Sequence, residues 1–528
     1  MNARWLWICL AFLVQVTFAF GSEVTETVTF FDSGTIPQLK LVIRDEEQQE
    51  LREDPRDYTR CTVIADETTP LKSVGIKLKG AAGSYRDFDD RPGLTLNFDK
   101  YKKGQRWHGM EKVHLNNLVQ DESLLSEWLG TQVFRAAGYP APLTGHVRLW
   151  INDRDMGIYV LREGFDSHFL KREFEDNDGN LYDRGEAADI DSELEMDSGD
   201  DPDNRSDLIG LALACYQPDY AVRLQQVAAR ADMNRFLSFM ALERLCGHWD
   251  GYTYATNNYR LYFPKKTPQG VFIPHGMDQV FQDPGAGLYD PSPSLVSQAV
   301  LQNDRWREQY RDRLKELSAV LSPAEKWLKM IDQRRDKLQP ILESIDPDQA
   351  AAHRDRVNEL KERVQQRFQN LESLINDGMP SALVLDESGS QLLTDWYPVP
   401  EGEDVTVDEV DQAGVRCYRV SREQFGDFAG SWRQRVWLTR GQYRFEARVK
   451  TDSVIPIPDD QGRGAGVRRS DTRGLHNLTG TSDWQTVSLE FEVPEDLRDV
   501  ELILELRART GSAWFDRDSL QLKRKPVP

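Results

Sequence analysis

Residues 246–283 read CGHWDGYTYATNNYRLYFPKKTPQGVFIPHGMDQVFQD, and the rest of the chain is organised around this stretch. An apolar run from Met233 to Leu245, with helical spacing, leads into Gly247-His248-Trp249-Asp250. Asn257 and Asn258 follow, and then the β-type run YRLYF. After a turn at Lys265 to Gly270 the short strand VFI ends in His275-Gly276-Met277-Asp278. This hairpin holds Asp250 and Asn257 at one end and can return Asp278 to the same end. A carboxylate, a carboxamide and a second carboxylate suit a hard, oxygen-ligated cation such as Mg²⁺. In phosphoryl transfer one Asp positions the attacking hydroxyl, while an Asn and another Asp hold the metal on the triphosphate. The same residues also suit ordinary turns, where Asp and Asn are common, and spacing alone leaves both readings standing.

Composition narrows the classes. A chain of 528 residues is too long for one core and predicts about two to four domains. With 39% hydrophobic residues and 13 Trp, 17 Tyr and 22 Phe it is globular rather than disordered. A formal charge of −21 offers no net basic field, which argues against a nucleic-acid partner and against tight binding to anionic lipid. Arg4, the apolar run Trp5 to Phe20, and small residues at Ala19 and Gly21 predict a secretory signal peptide over residues 1–21, cleaved before Ser22. An uncleaved anchor is the alternative. The expected compartment is outside the cytosol: secreted, periplasmic or in the cell envelope, with no membrane span after cleavage. Cys61, Cys215, Cys246 and Cys417 have neither CxxC nor paired His spacing, so a zinc site is not expected. Cys215 and Cys246 can bridge in an oxidising compartment, or all four can be buried thiols.

Residues 24–44 read as strands, VTETVTFF and then QLKLVIR, followed by a polar helical link from Asp45 to Asp54. CTVIAD is the next strand. In VGIKLKGAAGSYRDFDDRPGLTLNFDKY, strand alternation runs into Gly80-Ala-Ala-Gly83-Ser84, with Lys77, Lys79, Arg86 and Arg91 around it. A small-residue turn with local positive charge can lie over phosphates, or it can be a plain hairpin with a solvated face. Asp121 precedes a helix whose apolar residues Leu124, Leu125, Trp128, Leu129, Val133 and Phe134 recur at helical spacing, with Gly138 and Pro140 ending it. HVRLWIN and MGIYVLREGF form a hairpin with Glu163 near its end. The expectation is a twisted antiparallel sheet with one long helix against it, an α+β arrangement. The acid-rich residues 184–207 lack EF-hand order and read as a solvated insertion. Residues 208–245 are helical in pattern. Residues 304–377 read as several charge-laced helices punctuated by Pro323, Pro340 and Pro347.

Taken in order, LKGAAGSYRDF, LTLNFDKY, VHLNNLVQDESLLSEWLG, RAAGYPAP, INDRDMGIYVLREGFD, GNLYD, NNYRLYF and FIPHGMDQVF resemble the CotH family of spore-coat-type atypical protein kinases. The versions they look like occur in large secreted proteins of environmental bacteria, and the likeness runs from about Val28 to Leu374. It implies an ATP- and Mg²⁺-dependent kinase acting on Ser or Thr of extracellular or envelope proteins. By resemblance Asp250 takes the catalytic-base position, Asp278 the metal-binding position, and Asn257 or Asn258 the second metal ligand. Lys79 becomes the nucleotide-binding lysine, with Glu163 as its partner; Arg91 is a further nucleotide-site candidate, from the basic surroundings of the turn rather than from the resemblance. Many members carry W-D-x-D where this chain reads His275-Gly276-Met277-Asp278, leaving one carboxylate instead of two. A fungal branch of the family binds cell surfaces rather than phosphorylating.

Composition shifts after Pro380. From Ala382 to Lys523 short strands alternate with Gly-rich turns, predicting an all-β sandwich. GQYRFEARVKT, LTGTSDWQTVSLEFEVP and LILELRARTGSAWFDRDSLQL resemble jelly-roll carbohydrate-binding modules, which implies a possible glycan ligand. Trp432 and Trp437 are candidate sugar platforms or core residues, and Trp484 and Phe515 suit core or edge packing. The expected organisation is therefore a signal peptide (1–21), a kinase-like α+β domain (22–380, its helical part from about 300 to 378) and a sandwich (382–528). The function expected is a secreted protein kinase; the alternative is a non-catalytic extracellular or cell-surface binding protein on the same scaffold.

Overall fold

Strand-period alternation builds the first third of the chain, and its register closes the sheet on itself. The computed structural model describes residues 24–526 apart from 67, 175–176, 184–186, 202, 459–463 and 473–477. The expected signal peptide lies outside the described residues. After a helix, α1 (residues 24–33), come β1 (Gln38–Val42), α2 (Asp45–Glu53), β2 (Thr59–Ala65), β3 (Leu71–Lys79), β4 (Gly93–Asn97) and β5 (Lys112–Asn116). They are followed by α3 (Ser126–Ala136), β6 (Thr144–Ile151) and β7 (Arg154–Glu163). The strands form a closed barrel in the order β1-β2-β3-β4-β5-β7-β6. The expected twisted antiparallel sheet proves to be closed and not wholly antiparallel: β1 pairs antiparallel with β2 through Leu39 and Ala65 and, on its other edge, parallel with β6 through Leu39 and Leu149. Closure removes both exposed edges. Residues 24–33, expected as strand, are helical because Thr27 and Phe31, four apart, are both buried on one face; that burial overrides the β propensity of their β-branched residues.

The chain then leaves the barrel through α4 (Ser167–Glu173), β8 (Asn180–Asp183), β9 (Glu195–Ser198), α5 (Ser206–Cys215), α6 (Tyr220–Arg230) and α7 (Met233–Leu245). After α8 (Tyr252–Ala255) come β10 (Tyr259–Phe263) and β11 (Val271–Pro274), and the four strands form a sheet ordered β11-β10-β8-β9. The acid-rich stretch is thus not wholly a solvated insertion, since β9 pairs with β8. Next are α9 (Leu295–Gln302), α10 (Asp304–Leu321), α11 (Ala324–Ile345) and α12 (Pro347–Asp377). Pro347 starts α12, where its missing N–H costs nothing; Pro340 lies inside α11 and does not break it. Val357, Leu360, Val364 and Leu371 bury one face of α12.

The described residues divide into two compact units, one drawn from residues 24–299 and 308–379, the other from residues 300–307 and 380–526. The second holds β12 (Ser390–Leu392), β13 (Tyr397–Glu401), β14 (Thr406–Gln412), β15 (Val415–Arg422), β16 (Phe428–Ile455), β17 (Gly464–Arg469), β18 (Gly480–Ala508), β19 (Thr510–Asp516) and β20 (Gln521–Arg524). These make one continuous nine-stranded network rather than two separate sheets. The long β16 and β18 pair along most of their length, and the register breaks between Thr439 and Gly441. That break flips the pleat. Trp432, Val436 and Leu438 bury even positions before it; Tyr443, Phe445, Ala447 and Val449 bury odd positions after it, and all belong to one core. Trp432 is therefore no sugar platform: it is buried, packs on Tyr418 at 4.4 Å and donates its Nε1–H to the Arg419 carbonyl. Trp437 is half-buried and Phe515 fully buried, while Trp484 is half-buried with the Arg448 guanidinium over its ring.

Cys61, Cys215, Cys246 and Cys417 are all buried free thiols, so the Cys215–Cys246 bridge does not form. Among the described residues no helix is long and apolar enough to cross a membrane. Phe445→Ala, in the centre of the second core, is expected to cost about 3–5 kcal/mol of unfolding free energy by urea titration; a cost below about 1 kcal/mol would contradict the core assigned here.

Candidate functional site

Four neighbouring barrel strands put polar side chains on one face. The register pairs Lys77 with Thr95, Thr95 with His114 and His114 with Arg162, and Thr95 Oγ1 lies 3.0 Å from His114 Nδ1. Leu78, Leu94, Leu115 and Leu161, on the alternate positions, face the barrel core. Lys79 ends β3 opposite Gly93. With no side chain at Gly93, the Lys79 ammonium crosses it and donates to Asn116 Oδ1. Asn116 Nδ2 in turn donates to both Glu127 oxygens at 2.8 and 2.6 Å. Glu127 is buried in the first turn of α3. The turn after β3 is pinned by Asn117, whose Nδ2 donates to the carbonyls of Ser84 and Arg91 at 2.9 and 2.8 Å. Gly80 needs to be glycine, with φ +113° and the Tyr85 backbone 3.0 Å from any added Cβ.

The facing side comes from the stretch 246–283. The chain turns after α7 at Gly247 (φ +61°), and the Phe281 N–H donates to the Cys246 carbonyl at 2.8 Å. Buried His248 places Nε2 3.1 Å from the His275 carbonyl, tying the Asp250 turn to the Asp278 segment. Asn257 Nδ2 donates to Asp250 Oδ1 at 3.1 Å, and Asn258 Nδ2 to Asp250 Oδ2 at 2.7 Å. Each carboxamide keeps its Oδ1 as the atom able to face a cation. The hairpin pairs Tyr259 with Pro274, and His275 N–H donates to the Asn258 carbonyl at 3.1 Å. α3 packs closely on the next turn, where a Cβ at Gly130 would lie 2.9 Å from Met277 Cβ. Arg260, on β10, bridges Asp183 and Asp197. The two sides enclose a cleft of about 570 Å³, lined among others by Lys79, Glu127, Asp250, Asn257, Asn258 and Asp278.

A family profile described as CotH kinase protein matches residues 76–371. The chain belongs to the CotH family. Two curated relatives are fungal. Spore coat protein homolog 1 of Rhizopus delemar is 22% identical over 42% of this chain and 38% of its own length. Invasin CotH7 of the same organism is 22% identical over 43% of this chain and 40% of its own. The chain thus spans about two fifths of the length of these relatives. Solved structures similar to part of the chain include TmCBM61 in complex with β-1,4-galactotriose (17% identity, TM-score 0.18, 25% of this chain, 88% of that one). Another, described as CBM4 structure and function, has 17% identity and TM-score 0.19 over 27% of this chain and 100% of the other. At such scores the likeness carries no argument, and the β unit is described by its own strand pairing.

Two expected site residues, Glu163 from the CotH resemblance and Arg91 from the basic surroundings of the turn, do not line the cleft. Glu163 follows Arg162 on β7, so it points to the opposite face, where Arg172 and the Leu143 N–H (2.9 Å) take its carboxylate. Glu127 is the acid linked to Lys79. Arg91 is also structural: it donates to the carbonyls of Asn117 and Ile158 at 2.7 and 2.6 Å and stacks on Tyr159. Sequence reasoning missed Glu127 because an acid in a helix's first turn is ordinary, and missed Arg162 because only the β5–β7 register brings it to this face. Asn116 stood in a noticed Asn-Asn pair, but nothing in its spacing pointed to Lys79.

The charges around the cleft perturb one another. Burial, and then the Arg162 charge, bring the Lys79 ammonium down to about 7 against the pull of Glu127 and Asp278. Burial first and Glu127 second push Asp278 up to about 7. Burial works against an ionised Asp183, but Arg260 and His275 hold it well below the usual carboxylate range.

Burial also brings His248 down to about 4 from its ordinary 6.5. The unfolded chain therefore binds this proton more tightly than the folded one. The stability contributed by the neutral imidazole is fully present above about pH 6.5 and is lost as the pH falls towards 4. His248→Gln keeps a donor near the Nε2 position and removes the titration. Urea midpoints of the two proteins should run parallel above pH 6.5 and diverge below it, the wild type losing on the order of 3 kcal/mol relative to the variant by about pH 4. A constant gap across that window would show that His248 is not held neutral by burial.

Proposed function

We propose that the cleft binds ATP with Mg²⁺ and that the protein transfers the γ-phosphoryl group to a Ser or Thr hydroxyl of an extracellular or envelope protein. The observation that carries this reading is the convergence of Lys79, Glu127, Asp250, Asn257 and Asp278, from distant parts of the chain, on one cleft. The donor set fits a hard cation: it is all oxygen, and burial beside Glu127 leaves Asp278 short of positive charge. Asp278, with Oδ1 of Asn257 or Asn258, would hold Mg²⁺, which when bound neutralises charge on the phosphates. Lys79, oriented through Asn116 by Glu127, would reach the phosphates, and the turn 80–84 would lie over them. Asp250, held at both oxygens by the two asparagines, orients the attacking hydroxyl and accepts its proton. A bond forms between the hydroxyl oxygen and Pγ, the bond from Pγ to the bridging oxygen breaks, and ADP leaves.

An exterior setting is part of the proposal, supported by the spore-coat and invasin names of the fungal relatives. A glycan ligand for the β unit stays a proposal on the sequence resemblance alone. One observation favours the second reading, a binding protein without turnover: position 276 is glycine, so a single carboxylate stands where many members carry two.

Calorimetry of nucleotide binding with Mg²⁺, beside labelled-phosphate transfer, separates the readings. Asp278→Ala should lose metal-dependent binding and turnover together. Asp250→Ala should still bind nucleotide while transfer falls about 10²–10⁴-fold. Glu127→Gln should weaken nucleotide binding and Glu163→Gln should not. Absence of binding by the wild type with Mg²⁺ and with Mn²⁺ would overturn the kinase reading, and binding without transfer would leave a nucleotide-dependent binding protein.

A further inference from the structure

A second set of metal-type side chains sits away from the cleft, at the point where the chain leaves the barrel. Val113 of β5 pairs with Glu163 of β7, so the residues just before β5 and just after β7 lie side by side. The Gly164 N–H donates to the Lys112 carbonyl at 2.9 Å and continues that ladder. Beyond it, one ligand atom from each of Glu111, Asp166 and His168 lies within 4.8 Å of the others. Asp166 and His168 are almost wholly buried, their side chains 8% and 6% exposed, so these are not loose surface acids.

Asp166 is held in place from its own helix, and Glu111 is paired only loosely. Asp166 uses Oδ1 to accept the N–H groups of His168 and Phe169 at 2.9 and 3.2 Å, capping α4. That fixes the carboxylate and leaves Oδ2 for a ligand. Glu111 meets Arg106 Nη2 at 3.4 Å, a loose pair on a half-buried side chain. His168 Nδ1 lies 3.5 Å from Ser167 Oγ and 3.8 Å from Asp166 Oδ1.

We infer that Glu111, Asp166 and His168 form a binding site for a divalent transition-metal ion, separate from the nucleotide cleft. Two carboxylates with an imidazole suit Zn²⁺ or Mn²⁺, whereas Mg²⁺ and Ca²⁺ prefer oxygen alone. The ion ties the start of β5 to the segment after β7. Phe165, inside that segment, lines the cleft and packs on His275 and under Arg260, so the tie also steadies one wall of the cleft. The assignment does not depend on kinase activity.

The test uses the full chain, stripped with chelator, reloaded with Zn²⁺ or with Mn²⁺, and desalted before metal analysis. Wild type and Asp278→Ala should each keep one equivalent that Glu111→Gln and His168→Ala lose. The melting temperature should rise on reloading in the first two proteins alone. Glu111→Gln is isosteric and half-exposed, so it keeps the fold if the buried His168→Ala does not. Co²⁺ in place of Zn²⁺ should give visible bands in wild type that vanish in Glu111→Gln. No stoichiometric binding by wild type, or binding unchanged in Glu111→Gln, would overturn the assignment.

Discussion

A half-buried lysine at the end of β3, facing the cleft, needs a partner, and the first unit is arranged around that requirement. An unpaired buried ammonium loses its hydration and gives up its proton. Lys79 is supported in three ways. Gly93 lets its side chain pass across β4, Asn116 accepts from it, and Glu127 closes the line from α3. The relay fixes where α3 lies against the barrel. α3 in turn fixes the Asp278 turn, because Gly130 sits against Met277. One interaction thereby couples the barrel, the helix and the segment carrying the second carboxylate.

The cleft does not balance its charges pairwise. Arg260 pairs with both Asp183 and Asp197, whereas Lys79 and Asp278 are both left near neutrality in pKa, one brought down and the other pushed up. A merely structural ion pair would favour the charged forms of both partners. Here Glu127 crowds Asp278 with negative charge while Arg162 crowds Lys79 with positive charge. An anion on the barrel side and a cation on the facing side would relieve both, which is the charge pattern of a metal-bound phosphate chain. Functional sites often retain such frustration, and structural sites seldom do.

The α+β class, the hairpin that carries Asp250 and Asp278, and the all-β character after residue 380 were legible because each rests on local period and turn chemistry. What was not legible depends on register or on packing between distant elements. Barrel closure hangs on the parallel pairing of β1 with β6, which no local pattern announces. The helix at residues 24–33 depends on what Phe31 packs against. Glu163 looked like the natural partner of Lys79 because it ends a strand in the right part of the sequence; one step of strand alternation sends it to the other face and Arg162 to this one. Resemblance located the segments, and only strand geometry could choose between adjacent residues within them.

The glycine at 276 shows how a departure from the family pattern is built into the backbone. Its φ of +61° lies in the left-handed region, where a side chain costs roughly 1–2 kcal/mol. An added Cβ would also land on the Asn258 carboxamide, the group that holds Asp250 from the other side. A carboxylate there would therefore need a different turn and a displaced asparagine, and Asp250 would lose one of its two supports. Gly276, Asn258 and Asp250 are in this sense one unit: the space beside Gly276 is taken by the carboxamide that holds Asp250. On the proposed reading, a cation in the cleft would be held chiefly by Asp278 and carboxamide oxygens, a weaker and less charged set than two carboxylates would supply.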